Sequence, residues 1–236
     1  MAQNMADVAN SLGDDEPIWR QRAVERSTRT AKLRAEQRVQ RFLDAAQAVI
    51  TDKGATDFTV QEVVDRSGQS LRSFYQHFDG KHELLLALFE DALRRTTVQI
   101  AAAAGAKTDP ADALRTAVEL LFELSRPDPS AGRTLFTEFA PRLMLSHPAE
   151  VRRAHAPLLD LLTALTAALA DHGQLRPGLQ PRRIAALTME TVMFTAQTSG
   201  APDPGDDGPA ARPVTADEVW DFIAHGITAA NREPSP

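Results

Sequence analysis

The stretch Thr59-Val60-Gln61-Glu62-Val63-Val64-Asp65-Arg66-Ser67-Gly68-Gln69-Ser70-Leu71-Arg72-Ser73-Phe74-Tyr75-Gln76-His77-Phe78 decides the fold. Thr59 and Glu62 stand three residues apart, ahead of an apolar pair. This is the spacing of a capping box, in which each side chain satisfies the other residue's backbone N–H. A short helix over 59–67 follows, and Gly68 ends it, because a left-handed turn is open to a residue without a Cβ. Ser70 is a good N-cap for a second helix reaching Phe78. Two short helices about a glycine turn form a helix-turn-helix, whose second helix fits the major groove of DNA. Phe74 and Phe78, four residues apart, form its buried stripe. Arg72, Ser73, Gln76 and His77 form its exposed one, and Tyr75 lies beside the buried stripe with a hydroxyl able to reach outward.

The flanks extend the pattern. Val39, Phe42, Leu43, Ala46, Val49 and Ile50 make one apolar helical face, starting near Gln37 and ending at Lys53-Gly54. Asp79-Gly80 breaks the chain again, and Lys81 opens a long helix through Leu84, Leu85, Leu88, Phe89 and Leu93. Helical patterns follow over 110–125, 130–146, 150–172, 181–199 and 215–230. Prolines punctuate them, and Pro141 and Pro157 are placed to kink or split two of them. Residues 200–213 read as a loop. The expectation is an all-α chain with four parts: a disordered or partly helical basic arm (1–34), a helix-turn-helix domain (35–80), a second helical domain (81–230), to which the family resemblance given below assigns effector binding and dimerisation, and a flexible tail (231–236).

These quoted residues resemble the TetR family of bacterial regulators. The resemblance covers about residues 38–89. It rests on Phe42-Leu43-Asp44-Ala45-Ala46, Lys53-Gly54, Phe58-Thr59-Val60 and the run from Gly68 to Lys81, above all Phe74-Tyr75-Gln76-His77-Phe78. It implies phosphate contacts at Tyr75, His77, Lys81 and Thr59, and base-edge contacts at Gln61, Leu71, Arg72 and Ser73. Ser70 and Gln76 complete the DNA-facing set. A lysine at a helix N-terminus suits a phosphate, and arginine can pair with guanine through two hydrogen bonds. Arg72, Leu71 and Gln69 depart from the Gly, Lys and Val frequent in the family, so the operator sequence is open. Leu71 either packs inward beside Phe78 or meets a thymine methyl. Tyr75 is either a phosphate contact or a core aromatic.

Beyond residue 90 the resemblance is architectural. It implies a homodimer through helices 181–199 and 215–230, a palindromic double-stranded operator and a small effector, largely apolar by general pocket physics. Candidate pocket residues are Phe89, Phe122, Phe139, Arg142, Leu143, Met144, Met189 and Met193, each of which can equally be ordinary core.

Charge is unevenly distributed. The chain of 236 residues has a net charge of −6. Residues 20–41 nevertheless hold eight bases (Arg20, Arg22, Arg26, Arg29, Lys32, Arg34, Arg38 and Arg41) against Glu25 and Glu36. That block either meets phosphate or is a solvated arm. There are no cysteines, which excludes disulfides, thiolate catalysis and Cys-ligated zinc. His147, His155 and His172 match no metal pair, and no nucleophile elbow or phosphate-cradling loop occurs, so no cofactor or metal is expected. No apolar run of membrane-spanning length or signal core is present, which leads us to expect a cytoplasmic protein. A sequence-tolerant architectural DNA binder is the second reading, and a helical enzyme without recognisable motif the third.

Overall fold

The computed structural model describes residues 17–54, 57–126, 143, 145–199 and 213–229. Among these, the order is α1 (Ile18–Lys53), α2 (Val60–Ser67), α3 (Leu71–Tyr75), α4 (Lys81–Gly105), α5 (Pro110–Ser125), α6 (Pro148–Asp171), α7 (Pro181–Thr198) and α8 (Ala216–Ile227). The all-α expectation holds. The helix expected over 130–146 falls mostly outside the described residues, with Pro141. So do the loop over 200–212, the tail 231–236 and the first sixteen residues of the arm.

Four local details differ from expectation. First, α1 begins at Ile18, not near Gln37, and runs unbroken for 36 residues. Between Pro17 and Gly54 no proline or glycine interrupts it, and Ala23, Ala31 and Ala35 sit among Arg, Gln and Glu, which are good helix formers. Second, α3 stops at Tyr75, because Gln76 N–H turns to the Arg72 and Phe74 carbonyls and His77 N–H bonds Phe74 O. The segment 76–78 is a tightened turn that still brings Phe78 inward. Third, α6 passes through Pro157 without a break. Pro157 and Arg153 are both exposed, so the carbonyl that loses its donor lies on the outer side of the helix. Fourth, an isolated antiparallel bridge pairs Leu175 with Thr228. Arg176 N–H bonds Ile227 O at 2.8 Å and Ala229 N–H bonds Gln174 O at 2.8 Å, which ties the α6–α7 turn to the end of α8.

Two apolar clusters hold the molecule together. The first joins Phe42, Ala46, Val49 and Ile50 of α1 to Val63, Val64, Phe74 and Phe78, and then to Leu84, Leu88, Phe89 and Leu93 of α4. Leu143, Val151 and Ala154 belong to it too, so it crosses the position 80/81. The second gathers Ile100, Leu114, Phe122, Leu158, Leu162, Ala185, Val192, Trp220 and Ile223, with others from α4 to α8. The clusters part between Leu93 and Ile100 on α4 and between Ala154 and Leu158 on α6.

Candidate functional site

The helix-turn-helix is built from local chemistry. Thr59 Oγ1 accepts from Glu62 N–H at 3.2 Å, and Thr59 N–H donates to Glu62 Oε2 at 2.7 Å, closing the capping box. Glu62 also meets Lys53 Nζ at 2.7 Å, which pins the end of α1 to the start of α2. The Lys53 hydrogen bond, followed by those from Thr59, pulls the Glu62 carboxyl from 4.5 down to about 2. A second clasp joins Arg66 to Asp52 at 2.9 Å. Gly68 has φ +64°, where a side chain would be strained. Ser70 Oγ accepts from Ser73 N–H at 3.1 Å and caps α3.

The aromatic ridge sets the orientation of α3. Phe74 is fully buried, edge-on to Phe42 with ring centres 5.5 Å apart, and Phe78 meets Phe42 at 6.1 Å. With that side fixed inward, Leu71, Arg72, Tyr75 and Gln76 are exposed, and Ser73 and His77 are half-buried. Tyr75 is 56% exposed, so it is not a core aromatic, although its ring edge touches Phe74 at 5.3 Å. Leu71 is 42% exposed and does not pack into the core beside Phe78. Arg72 makes no ion pair among the described residues, which leaves its guanidinium available to an outside partner.

The remaining site residues carry local bonds as well. Exposed Gln61 donates from Nε2 to Asp65 Oδ1 at 2.7 Å. Lys81 Nζ lies 4.6 Å from the centre of the Phe58 ring and 3.9 Å from the fully exposed Asp57 carboxylate. Such an exposed pair is weak and screened, so a phosphate can displace it. Thr59 and Ser70 hold the helix ends by their hydroxyls, a role that the sequence pattern already contained in the caps.

The expected pocket residues do not assemble as one group. Phe89 and Leu143 are buried in the first cluster, and Phe122 and Met189 in the second, with Met193 packed against it. Phe139, Arg142 and Met144 lie outside the described residues. Near Phe89 and Leu93 of the first cluster stand two groups not chosen as pocket residues from the sequence. Asp91 is 9% exposed, with Arg94 at 2.8 Å and Arg95 at 2.9 Å. His155 bonds the Val151 carbonyl through Nδ1 at 2.8 Å and packs against Phe89 at 5.5 Å. Burial pushes the His155 pKa down, against the opposite pull of that carbonyl. The sequence signal for Asp91 was its place on the Leu84–Leu88 face of α4, one turn beyond Leu88.

Helices α7 and α8 have a contrasting pair of faces. Val219, Trp220, Ile223 and Ile227 of α8 are buried, whereas Phe222 is 74%, Phe194 70% and Leu187 55% exposed. Leu187, Thr191 and Phe222 line a shallow groove between α7 and α8 with Ile184, Thr188 and Gly226.

A helix-turn-helix of two short helices is thus joined by the long helix α4 to a second helical cluster. Residues 42–88 match the family described as bacterial regulatory proteins, tetR family. The chain is 31% identical over 132 residues to the HTH-type transcriptional activator FasR of Mycolicibacterium smegmatis, a match covering 56% of this chain and 59% of FasR. It is 27% identical over 191 residues to the HTH-type transcriptional regulator EthR of the same organism, covering 68% of this chain and 87% of EthR. A tetR-family regulator structure from Pectobacterium atrosepticum superposes with a TM-score of 0.66 at 17% identity, over 85% of this chain and 98% of that one. Residues 42–88 are thus similar to the tetR family of bacterial regulatory proteins, and the Pectobacterium structure shares the helical fold of the chain. Among the described residues, no helix is long and apolar enough to cross a membrane.

The head also predicts its own acid response. A carboxyl whose folded pKa lies below its unfolded one adds stability that is present above the unfolded value and lost as pH falls through the folded one. For Glu62 that window runs from 4.5 down to about 2. Glu62→Gln should therefore flatten the decline of the melting temperature across that window. Parallel wild-type and variant curves would reject the Glu62 clasp as a source of acid sensitivity.

Proposed function

We propose that this chain is a cytoplasmic, homodimeric transcriptional repressor that binds a palindromic DNA operator and is released by a small, largely apolar effector. The observation that carries the reading is α3: Phe74 and Phe78 are locked inward on Phe42, and Arg72, Tyr75 and Gln76 stand exposed on one short, capped helix. The major groove admits such a helix, and its guanines offer the acceptor pair that arginine fits. Tyr75, His77 and Lys81 serve as phosphate contacts, with Thr59 and Ser70 at the helix ends. Gln61, Leu71, Arg72, Ser73 and Gln76 face base edges.

The exposed Phe194, Leu187 and Phe222 support dimerisation through α7 and α8. Two heads on a two-fold then meet half-sites about one turn, or a multiple of it, apart. The proposed effector seat lies among the central helices beside Phe89, with the half-buried His155 as a neighbouring polar group. An effector that prefers a state with the heads splayed shifts the population by its differential affinity. Continuous α4, which reaches from Lys81 at the head into the second cluster, is the lever.

The test is selection of bound sequences from random double-stranded DNA by the purified protein. A palindromic consensus is the expected result, and recovery of unrelated sequences would point to an architectural DNA binder. Arg72→Ala should then relax one base position per half-site and cost about 1–3 kcal/mol on the selected duplex. Equal loss on the selected duplex and on random DNA would reject direct readout by Arg72. FasR is named as an activator, so the sign of regulation is read separately. A reporter behind the selected duplex should fall when the chain is expressed, and a rise would assign activation.

A further inference from the structure

The N-terminal half of α1 is exposed along its length and projects from the first apolar cluster as a single helix. Its root is informative. Phe42, which packs on Phe74 and Phe78, sits on the same ridge of α1 as Arg38 and Arg34, one and two turns earlier. The other end of α1, with Asp52 and Lys53, is clasped to α2. The projecting half therefore springs from the end of α1 that touches the recognition helix.

Its charge is ordered as well as large. Arg34, Arg38 and Arg41 fall at i, i+4 and i+7, and so do Arg22, Arg26 and Arg29. Each set makes a stripe, and at 3.6 residues per turn the two stripes are rotated by about 120° from each other. All six arginines are exposed, and none of them forms an ion pair among the described residues. Lys32, by contrast, is paired with Glu36 at 3.8 Å. The apolar residues of this half do not form a face for a membrane or a partner helix. Ile18 and Trp19 are at the tip, Leu33 lies about 21 Å further along, and Val24 points to the opposite side.

We infer that residues 18–41 are a second DNA-binding element, a rigid helical outrigger whose two arginine stripes bind the phosphates of the duplex flanking the operator. This rests on the DNA-binding reading above and extends it beyond the helix-turn-helix. From Arg38 to Arg22 the helix spans about 24 Å, which is the length of about seven base pairs. The proximal stripe takes phosphates at the edge of the half-site, and the distal stripe, about 18 Å along the helix, takes those about half a turn of duplex further out. The contacts carry no base information, so the flanks add affinity and salt dependence without adding consensus.

The experiment uses the full chain and a duplex selected from random DNA, made in two lengths. One ends at the outer edges of the half-sites, and the other carries about ten more base pairs on each side. Binding is followed by fluorescence anisotropy over a salt series for the wild type, R22Q/R26Q/R29Q and R34Q/R38Q/R41Q. Glutamine keeps helix propensity, and an unchanged far-UV circular dichroism spectrum shows that the helix persists. The wild type should bind the long duplex at least about tenfold more tightly than the short one, with a steeper salt slope. Each variant should lose most of that gain, the slope falling by about 0.9 per phosphate contact removed. R22Q/R26Q/R29Q should bind the short duplex as the wild type does. The inference is overturned by a wild type indifferent to the flanks, or by variants that keep the full gain. It is equally overturned if the variants change only self-association, which would make a second copy the partner. A wild type that prefers no selected duplex of either length would remove the operator reading itself, a result distinct from flank indifference on a tightly bound short duplex.

Discussion

Phe42→Ala is expected to cost the reading head about 3–5 kcal/mol, the range for truncating a buried phenylalanine. Phe42 is fully buried and is the ring on which both Phe74 and Phe78 rest. Its loss leaves a cavity under α3 and removes two edge-on aromatic contacts together. A helix of five residues cannot hold its own shape, since helices this short are unstable without packing. The recognition surface should therefore be lost before the rest of the molecule. Hydrogen exchange is the decisive readout. Protection should collapse through α2, α3 and the first turns of α4, while the second cluster from Ile100 to Ile227 keeps its protection. Uniform loss across both clusters would show that the molecule unfolds as one unit. Unchanged protection in α3 would show that Phe42 is not its anchor.

Charging the outer face of α7 and α8 should have the next largest effect. Phe194→Asp with Phe222→Asp replaces two phenylalanines that are 70% and 74% exposed in the isolated chain. The buried side of α8, with Val219, Trp220, Ile223 and Ile227, is untouched, so the fold should survive. Sedimentation should then report a monomer. Two linked heads gain from effective concentration by about 10² to 10⁴-fold over one. The double variant should accordingly lose at least about a hundredfold in affinity for the selected palindrome, with little change on an isolated half-site. A dimer that persists, or a monomer with full operator affinity, would show that α7 and α8 are not the interface on which DNA binding depends.

Both predictions depend on features that the sequence reveals to different degrees. The caps and turns of the head were legible because they are local. Thr59 with Glu62, Gly68 and Ser70 act on groups within about three residues, so their spacing alone states the geometry. The inward pair Phe74 and Phe78 followed from helical period in the same way. The α1 extension was less legible, because a polar, charged helix has no periodic stripe to mark it. Its continuity rests on uninterrupted propensity from Ile18 to Lys53. The candidate pocket was least legible. Phe89 and Phe122 are equally apolar in sequence, yet they lie in different clusters, and buried Asp91 resembles any surface carboxylate until its neighbours are known.

By itself, the sequence determined an all-α chain, a capped helix-turn-helix and its inward pair Phe74 and Phe78, because hydrogen bonds and side-chain period within one or two turns fix those features, whereas the outward placing of Leu71 and Tyr75 came from the tertiary structure. Tertiary structure alone decided that Phe42 roots the arginine ridge beside α3, that Phe194 and Phe222 stay outside while Phe122 goes in, and that Leu175 pairs with Thr228. Those outcomes depend on which distant surfaces remove water from one another, and burial between residues far apart in the chain leaves no fixed spacing along it.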